Sequence, residues 1–387
     1  MIDPAALAPH YARFRVTERV LLTGHSHQAW PDAGFEGQAR AWADAAELVD
    51  EKWERAFAQA RAVREGFARL LADDPDRIAL GASTHDLLIR FLSGLPLRTR
   101  PRLVTTDAEF HSLRRQLDRL GEEGIAVVHV PAHPVATLTE RLIGEATAGT
   151  AAVLVSAVLF ETAEIVPGLA DLAGACRRVG AEVLIDAYHA LNAVPFSLPT
   201  NGLTAAYVLG GGYKYCQLGE GNCFLRFPAD CTMRPVITGW YSEFEMLEAK
   251  TAGTVTYGSG PARFAGSTYD PTSHYRAARV FQFFTDQQLT PERLRELNQR
   301  QVARLARGFD ALGLDPKTIT RYAPRLDGIA GFLALRAPAA GAITRALRAH
   351  GIFTDARHDL LRLGPAPYVT DDQLDQAIDK IPEAVRA

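Results

Sequence analysis

The chain has 387 residues, of which 47% are hydrophobic and 22% charged, with a formal net charge of −3. Its length suggests two domains, and its charge gives no sign of binding to nucleic acid or to an anionic membrane surface. No apolar run approaches the ~20 residues that a membrane span needs, and residues 1–4 lack the layout of a signal peptide. The four cysteines show neither a CxxC nor a zinc pattern. We therefore expect a soluble cytoplasmic protein without a structural metal.

Helical and strand patterns alternate through the first two thirds of the chain. Residues 38–71 have helical periodicity, and a helix is also expected over 113–120. Strands are predicted by short apolar runs at residues 77–80, 102–106, 125–130, 151–156, 182–186 and 205–209. Continuous apolar strands separated by helices are typical of a mostly parallel sheet covered on both faces. Ligands of such sheets bind beyond the carboxyl ends of the strands.

The pattern changes after about residue 252. A glycine-containing loop leads to helical stretches at 274–289 and 291–312, and strand-like segments follow at 328–335 and 351–353. We predict a large α/β domain over residues 15–252. A smaller α+β domain is expected to comprise residues 253–387 together with residues 1–14.

The most informative motif is Gly210-Gly211-Gly212-Tyr213-Lys214-Tyr215, which follows a predicted strand. Lysines prefer solvated positions, so a lysine between aromatic residues after three glycines indicates a partly desolvated amine in a pocket. Such an amine can form an imine. Lys214 is therefore the candidate Schiff-base residue of a pyridoxal-phosphate (PLP) enzyme.

Asp186 ends the predicted strand 182–186, where a carboxylate could hold a protonated pyridine nitrogen. His189 could orient that carboxylate or cover the cofactor ring. The alternative is that Asp186 caps the next helix. Ser83 and Thr84 lie between a strand and an amphipathic helix, where hydroxyls and backbone N–H groups can bind phosphate or merely cap the helix.

Two further positions have a functional and a structural interpretation. Phe110 could stack on a flat ring or belong to the core. Arg362 lies in an apolar run, and a buried arginine needs a carboxylate or phosphate partner. That partner is a substrate carboxylate or a structural carboxylate, and Arg357 is a competing candidate for the substrate role.

Together these residues resemble the class V aminotransferase group of PLP fold type I, and within it the kynureninases. The resemblance rests on Tyr213-Lys214-Tyr215 with Gly219-Glu220-Gly221, Asp186 with His189, Gly239-Trp240-Tyr241, Arg263-Phe264-Ala265-Gly266-Ser267, and Asp355-Ala356-Arg357 with Leu361-Arg362-Leu363-Gly364. These matches run in order over nearly the whole chain. The fold this implies is a seven-stranded, mostly parallel sheet in the large domain.

The resemblance also implies roles for individual residues. Lys214 would hold PLP and move protons, Asp186 would pair with the ring nitrogen, and Phe110 would stack on the ring. The phosphate would be held by Ser83, Thr84, Tyr213 and Trp240, with Ser267 supplied by a second subunit of a homodimer whose active sites lie at the interface. Arg362 would bind the substrate carboxylate, with His25 beside it.

Some positions depart from the kynureninase pattern. The segment Gly24-His25-Ser26-His27-Gln28 replaces Gly-Asn-Ser-Leu-Gly, and Ser156-Ala157-Val158-Leu159-Phe160-Glu161-Thr162-Ala163 replaces Ser-His-Val-Asn-Tyr-Arg-Thr-Gly. These changes surround the expected substrate.

The expected reaction is hydrolytic Cβ–Cγ cleavage of kynurenine or a related γ-oxo amino acid. An aminotransferase and a β-eliminating C–S lyase are the alternatives. A cysteine desulfurase is disfavoured because no cysteine follows Cys231. A second acid or base is needed for hydrolysis, and the spacing leaves Tyr215, Tyr241, His25, His27 and His111 open.

Overall fold

The structure is a computed structural model that describes residues 2–249 and 253–386. Its strands, in chain order, are β1 (Val20–Leu21), β2 (Ile78–Gly81), β3 (Arg102–Thr106), β4 (Ala126–Val130), β5 (Thr150–Ser156), β6 (Glu182–Asp186), β7 (Tyr207–Gly211), β8 (Cys223–Arg226), β9 (Thr320–Arg321), β10 (Leu333–Arg336), β11 (Ile352–Phe353), β12 (Asp355–Arg357) and β13 (Leu360–Leu363).

The α-helices are α1 (Pro4–Leu7), α2 (Ala33–Leu48), α3 (Lys52–Leu71), α4 (Thr84–Ser93), α5 (His111–Glu122), α6 (Leu138–Glu145), α7 (Leu169–Arg178), α8 (Thr272–Asp286), α9 (Pro291–Ala311), α10 (Ala340–Ala349) and α11 (Asp371–Arg386). Short 3₁₀ segments occupy Ala8–Phe14, Pro75–Arg77, Val135–Thr137, Trp240–Ala249 and Gly260–Phe264. No helix among the described residues is long and apolar enough to cross a bilayer.

A seven-stranded sheet in the order β2-β8-β7-β6-β5-β3-β4 forms the centre of the large domain. Strands β4, β3, β5, β6 and β7 are parallel, and β8 runs antiparallel to both of its neighbours. All seven residues of β5 are buried, and its side chains alternate between two hydrophobic clusters, with Val153 and Val155 in one and Ala152 and Leu154 in the other. This alternation is expected of a strand covered on both faces. The predicted fold class is confirmed.

The three glycines before Lys214 have a structural reason in close packing. The strand predicted over 205–209 is β7, and it includes Gly210 and Gly211. None of the three glycines has a positive φ. A Cβ on Gly211 would lie 2.5 Å from the Tyr188 ring, and one on Gly212 would lie 2.5 Å from Leu218. Close packing, rather than a strained turn, therefore requires glycine here, and it draws Tyr188 against the backbone that leads to Lys214.

The C-terminal part contains an antiparallel sheet in the order β12-β13-β10-β9. Near the N-terminus, β1 pairs in parallel with β11, and Thr23 forms a bridge with Gly364. Residues 20–23 therefore hydrogen-bond to the C-terminal part of the chain. This pairing places His25 beside the C-terminal part. Residue 252, the predicted domain boundary, lies outside the described residues, and the division into two domains stays a prediction.

Candidate functional site

A cavity of about 340 Å³ opens at the carboxyl ends of the parallel strands. This volume lies within the range of small-molecule pockets, roughly 300–1,000 Å³, and the position is the usual one for ligands of such sheets. Its wall is formed by Ala82, Ser83, Thr84, Phe110, Ser112, Ser156, Val158, Phe160, Asp186, Tyr188, His189, Tyr213, Lys214, Glu220, Gly221 and Cys223. Seven of the residues predicted from the sequence are therefore brought together: Ser83, Thr84, Phe110, Asp186, His189, Tyr213 and Lys214.

The Lys214 side chain is only 4% exposed and is surrounded by rings. Its Nζ lies 4.9 Å from the centre of the Phe110 ring and 4.8 Å from that of Tyr188. Burial lowers the pKa of Lys214 to about 7, although the negative charge of Asp186 opposes this shift. A large share of the amine is therefore neutral, and nucleophilic, at neutral pH.

His189 is the hydrogen-bond partner of Lys214, with 2.5 Å between Nζ and the ring Nε2. Burial, followed by the charge of Lys214, lowers the pKa of His189 well below its usual value. The ring is therefore neutral, and its Nε2 accepts the hydrogen bond. Its Nδ1 is buried without a hydrogen-bond partner among the described residues. An unpaired buried N–H is costly, so this atom favours a ligand that can accept from it.

Asp186 is buried at the end of β6, and the Tyr188 N–H donates to its Oδ1 at 2.8 Å. The residues after it form a turn, so the alternative in which Asp186 caps a helix does not occur. Burial raises the pKa of Asp186, while the Tyr188 hydrogen bond and the charge of Lys214 act in the opposite direction. A carboxylate whose pKa is raised by burial is stabilised in its charged form by an added cation, such as a protonated ring nitrogen.

The N-terminus of α4 also lines the cavity, through Ser83 and Thr84. The Ser83 hydroxyl caps this helix by accepting from the Asp86 N–H at 3.1 Å, so the predicted capping role is present. Its own O–H can still donate into the cavity. The positive end of the α4 dipole and the hydroxyls of Ser83 and Thr84 are suited to an anion such as a phosphate.

Apolar side chains form a third wall. The rings of Phe110 and Phe160 meet edge to face with centres 5.3 Å apart, and Val158 lies nearby in the same lining. Phe110 lines the cavity beside Lys214, and its role as the ring-stacking residue stays a prediction. Phe160 was not selected from the sequence, because an apolar residue after a buried strand gives no signal of its own.

Glu109 is a buried acid that the sequence did not reveal. The Thr106 hydroxyl donates to its Oε1 at 2.7 Å, and the Ser156 hydroxyl donates to its Oε2 at 2.6 Å. Burial raises the pKa of Glu109 to about 7 despite these hydrogen bonds, and the charge of Asp186 adds to the rise. Glu109 thereby joins the ends of β3 and β5 and fixes Ser156 in the cavity wall.

Arg362 is 2% exposed and does not line the cavity itself. Its Nε and Nη2 donate to Asp355 at 2.9 and 2.5 Å, and its Nη1 donates to the Phe160 carbonyl at 2.6 Å. His25, fully buried, lies with its Nε2 2.7 Å from the Asp355 carboxylate. Arg362 therefore forms a structural salt bridge, which was one of the two interpretations, and Asp355 is its partner. Its role as a substrate-binding residue stays a prediction.

Trp240 and Ser267 are not in the cavity wall. Trp240 is 42% exposed, and Ser267 is exposed as well. A single chain cannot test the role of Ser267, which was expected to come from a second subunit. The predicted contacts of both residues with a phosphate therefore stay proposals.

The five candidates for a second acid or base lie outside the cavity wall. The Tyr215 hydroxyl packs against Gly331, and burial raises its pKa well above the usual value. His25 is held by Asp355, and burial lowers its pKa to about 4. His27 is exposed and stacks on Tyr213, with ring centres 5.3 Å apart.

No protein-family model matches the chain. A curated relative, the uncharacterized aminotransferase YcbU of Bacillus subtilis (strain 168), is 23% identical over 336 residues, which cover 85% of both chains. A mutant of C-DES with glycine covalently linked to its PLP cofactor superimposes with a TM-score of 0.84 at 17% identity, over 96% of this chain and 98% of that one.

Two further solved structures have the same architecture. The apo cysteine desulfurase of Thermococcus onnurineus NA1 gives a TM-score of 0.83, and the cysteine desulfurase CsdA of Escherichia coli gives 0.82. Each is 17% identical and covers 100% of this chain and 99% of its own. This chain has PLP fold type I. Its cavity lies at the carboxyl ends of the parallel strands, where the sequence predicted a ligand site.

We predict that the Lys214 amine of the cofactor-free protein reacts with an amine-directed reagent with a midpoint at a pH of about 7, because only the neutral amine reacts and its pKa is about 7. An ordinary lysine has a midpoint at ~10.4. In Asp186→Asn the midpoint should move to lower pH, because the negative charge that favours the protonated amine is removed.

The measurement is competitive labelling followed by mass spectrometry of the peptide that contains Lys214. The peptides of the other lysines in the same digest are the internal control. Labelling of Lys214 that increases only at alkaline pH would contradict the desolvated amine.

Proposed function

We propose that this chain is a PLP-dependent enzyme that acts on an amino acid, and that Lys214 forms the covalent link to the cofactor. The observation that carries the proposal is the neutral, buried amine of Lys214 in a cavity of sufficient size. The donor set fits the cofactor as well: a buried carboxyl for the ring nitrogen, an unpaired His189 N–H, and a helix N-terminus for the phosphate.

PLP, when bound, supplies an electron sink that stabilises negative charge on the substrate Cα. The chain supplies the remaining functions. Asp186 would keep the ring nitrogen protonated, Phe110 would stack on the ring, and Ser83 and Thr84 would hold the phosphate. Lys214, with a pKa of about 7, can take up the Cα proton and return it at neutral pH.

The same geometry supports reactions that need Lys214 as the only base. Transamination and β-elimination both begin with removal of the Cα proton, whereas hydrolytic C–C cleavage also needs a positioned second acid or base. The five candidates for that group lie outside the described cavity wall. We therefore propose aminotransferase chemistry first, in keeping with the name of the relative YcbU, and C–S lyase chemistry second.

The second candidate rests on a specific likeness. C-DES, described as a cystine C–S lyase, superimposes with a TM-score of 0.82 in complex with its product cysteine persulfide, at 17% identity. β-Elimination requires a leaving group on Cβ and no additional nucleophile. Kynureninase-type hydrolysis, which the motifs led us to expect, has no support from the relatives or from the cavity wall.

Desulfurase chemistry does not suit this chain, although two of the similar structures are desulfurases. That reaction needs a mobile nucleophilic cysteine in the C-terminal part, and no cysteine follows Cys231. Cys223 does line the cavity, but burial raises its pKa to about 12, so its thiol is protonated at neutral pH.

A second copy of the chain is the partner we propose. The rings of Phe57, Trp240 and Phe244 form an exposed aromatic patch, with the centres of Trp240 and Phe244 5.4 Å apart and those of Phe57 and Phe244 6.2 Å apart. Exposed apolar surface of this kind marks interaction sites. A homodimer built on this patch is consistent with the expected contribution of Ser267 to a neighbouring site. A cytoplasmic location also stays a prediction.

We predict that the protein, reconstituted with PLP, shows a visible absorption band at ~420 nm that Lys214→Ala lacks. Lys317→Ala, which removes an exposed lysine, is the control and should retain the band. After borohydride reduction, the pyridoxyl group should be found on the peptide that contains Lys214. A colourless wild-type protein after reconstitution, with its circular dichroism intact, would refute the proposal.

The reaction type can be separated with defined substrates. We expect the holoenzyme to convert L-leucine only when pyruvate or another keto acid with one carboxylate is added, if it is an aminotransferase. Pyruvate released from S-methyl-L-cysteine without a keto acid would instead identify the C–S lyase. L-Kynurenine should yield no alanine, because hydrolysis needs a second acid or base and the five candidates for it lie outside the described cavity wall. Catalytic formation of alanine would contradict our proposal.

The proposed dimer is tested by light scattering coupled to size exclusion. Phe244→Asp should yield a monomer, because a desolvated charge would be placed in the apolar interface. Ala339→Asp adds the same charge at an exposed position between β10 and α10 and should stay dimeric. A wild-type protein that is monomeric at all accessible concentrations would rule out the dimer.

A further inference from the structure

Arg362 retains unused hydrogen-bonding capacity beside the cavity. An arginine side chain has five N–H donors. Two of them bind Asp355 and a third binds the carbonyl of Phe160, whose side chain lines the cavity. One N–H on each of Nη1 and Nη2 is thus left without a partner among the described residues. Two donors on the two terminal nitrogens of an arginine can bind one carboxylate in a bidentate manner.

The charges near this pair are nearly balanced. Four charged side chains have the largest Coulomb effects on the pKa of Lys214, namely Asp186, Arg362, Arg357 and Asp355. Asp186 would be balanced by the protonated ring nitrogen of the proposed cofactor. The remaining three give one net positive charge, since His25 has a pKa of about 4 and is neutral at neutral pH. One positive charge matches one substrate carboxylate.

Arg357 is the charge that is not compensated. Its side chain is 42% exposed, and its Nη2 is 4.0 Å from Asp355, beyond hydrogen-bond distance. Its Nη1 donates to the neighbouring Ala356 carbonyl at 3.1 Å, and its Nε is buried without a partner among the described residues. Asp355 thus neutralises Arg362, and among the four described side chains with the largest Coulomb effects on Lys214, Arg357 is the excess cation.

The described cavity wall offers little to a second anionic group. Phe110, Val158 and Phe160 are apolar, and among the wall residues Lys214 is the only lysine or arginine. A substrate side chain with a carboxylate would lose its hydration against these residues without gaining a cation from the wall.

We propose that Asp355 is a specificity-determining residue that, by neutralising Arg362, restricts the substrate to amino acids with one carboxylate and an uncharged side chain. His25 is its positioning residue, because a neutral imidazole whose Nε2–H donates to Asp355 keeps that carboxylate aligned with Arg362. The inference rests on the proposed PLP function and adds the class of substrate.

The test measures binding of two carboxylates that lack an amino group, so that no reaction can occur. Calorimetry with the PLP-loaded protein gives the dissociation constants of 3-methylbutanoate and glutarate. The wild type should bind the monocarboxylate at least about tenfold more tightly. In Asp355→Asn this preference should fall by about tenfold or reverse, because a unit charge is removed in a site of low dielectric.

Asp355→Asn keeps an oxygen that can accept from His25, so the charge is the main change. Asp359→Asn is the matched control, because Asp359 is half exposed, pairs with Arg336 at 3.1 Å, and should leave the ratio of the two constants unchanged. If Asp355→Asn does not fold, Arg357→Gln provides an independent test. It removes the excess cation and should weaken binding of the monocarboxylate by about tenfold.

The role of His25 is tested by conservative replacement. His25→Asn retains a donor for Asp355 and should keep the preference, whereas His25→Leu should raise KM for the amino-acid substrate with little change in kcat. Equal effects of the two variants would exclude a positioning role.

Equal affinity of the wild type for the two probes, or an unchanged ratio in Asp355→Asn, would overturn the inference. The visible band of bound PLP is recorded for each variant. If the band is present and the ratio does not respond, the specificity proposal fails while the proposed function stands. If the band is absent from the wild type, the proposed function itself fails.

Discussion

The structure depends on the removal of one amine from water. Lys214 lies in a cavity whose walls are aromatic, and this desolvation lowers its pKa to about 7. The close packing of Tyr188 on Gly211 makes that environment, since any larger residue at 211 would push the ring away from the lysine. Burying a lysine costs folding free energy whether or not the residue has a function. The proposed covalent link to a cofactor would explain why the chain retains this cost.

Two groups of charged side chains lie around this amine. In the first, the buried carboxyls of Asp186 and Glu109 accept hydrogen bonds, and the charge of Asp186 contributes to the raised pKa of Glu109. In the second, outside the described cavity wall, Arg362 is paired with Asp355. We propose that the first group holds a cation in a ring and that the second binds a single carboxylate.

Much of the fold was predictable because parallel strands buried on both faces have an unmistakable pattern. Strands β3 and β6 have the bounds that the apolar runs predicted. The antiparallel strand β8 was missed, since its four residues follow a glycine turn and have no periodicity that separates them from a loop. Residues at strand ends, such as Asp186, could be assigned to the site, because the carboxyl ends of parallel strands meet at one edge. Glu109 and Asp355 could not, because their partners Ser156 and Arg362 are defined only by packing.

The sequence by itself determined the sheet, and it indicated a candidate site at the edge of that sheet with a lysine as its candidate imine-forming residue. Those properties depend on local patterns: hydrophobic periodicity, a glycine run, and polar residues at the ends of strands. Only the tertiary structure decided what each charged group faces. Whether Arg362 is free or paired, whether the Tyr215 hydroxyl faces the cavity or Gly331, and how far the pKa of Lys214 falls all depend on distances between segments far apart in the chain. Desolvation and Coulomb interactions are set by those distances, and no local pattern encodes them.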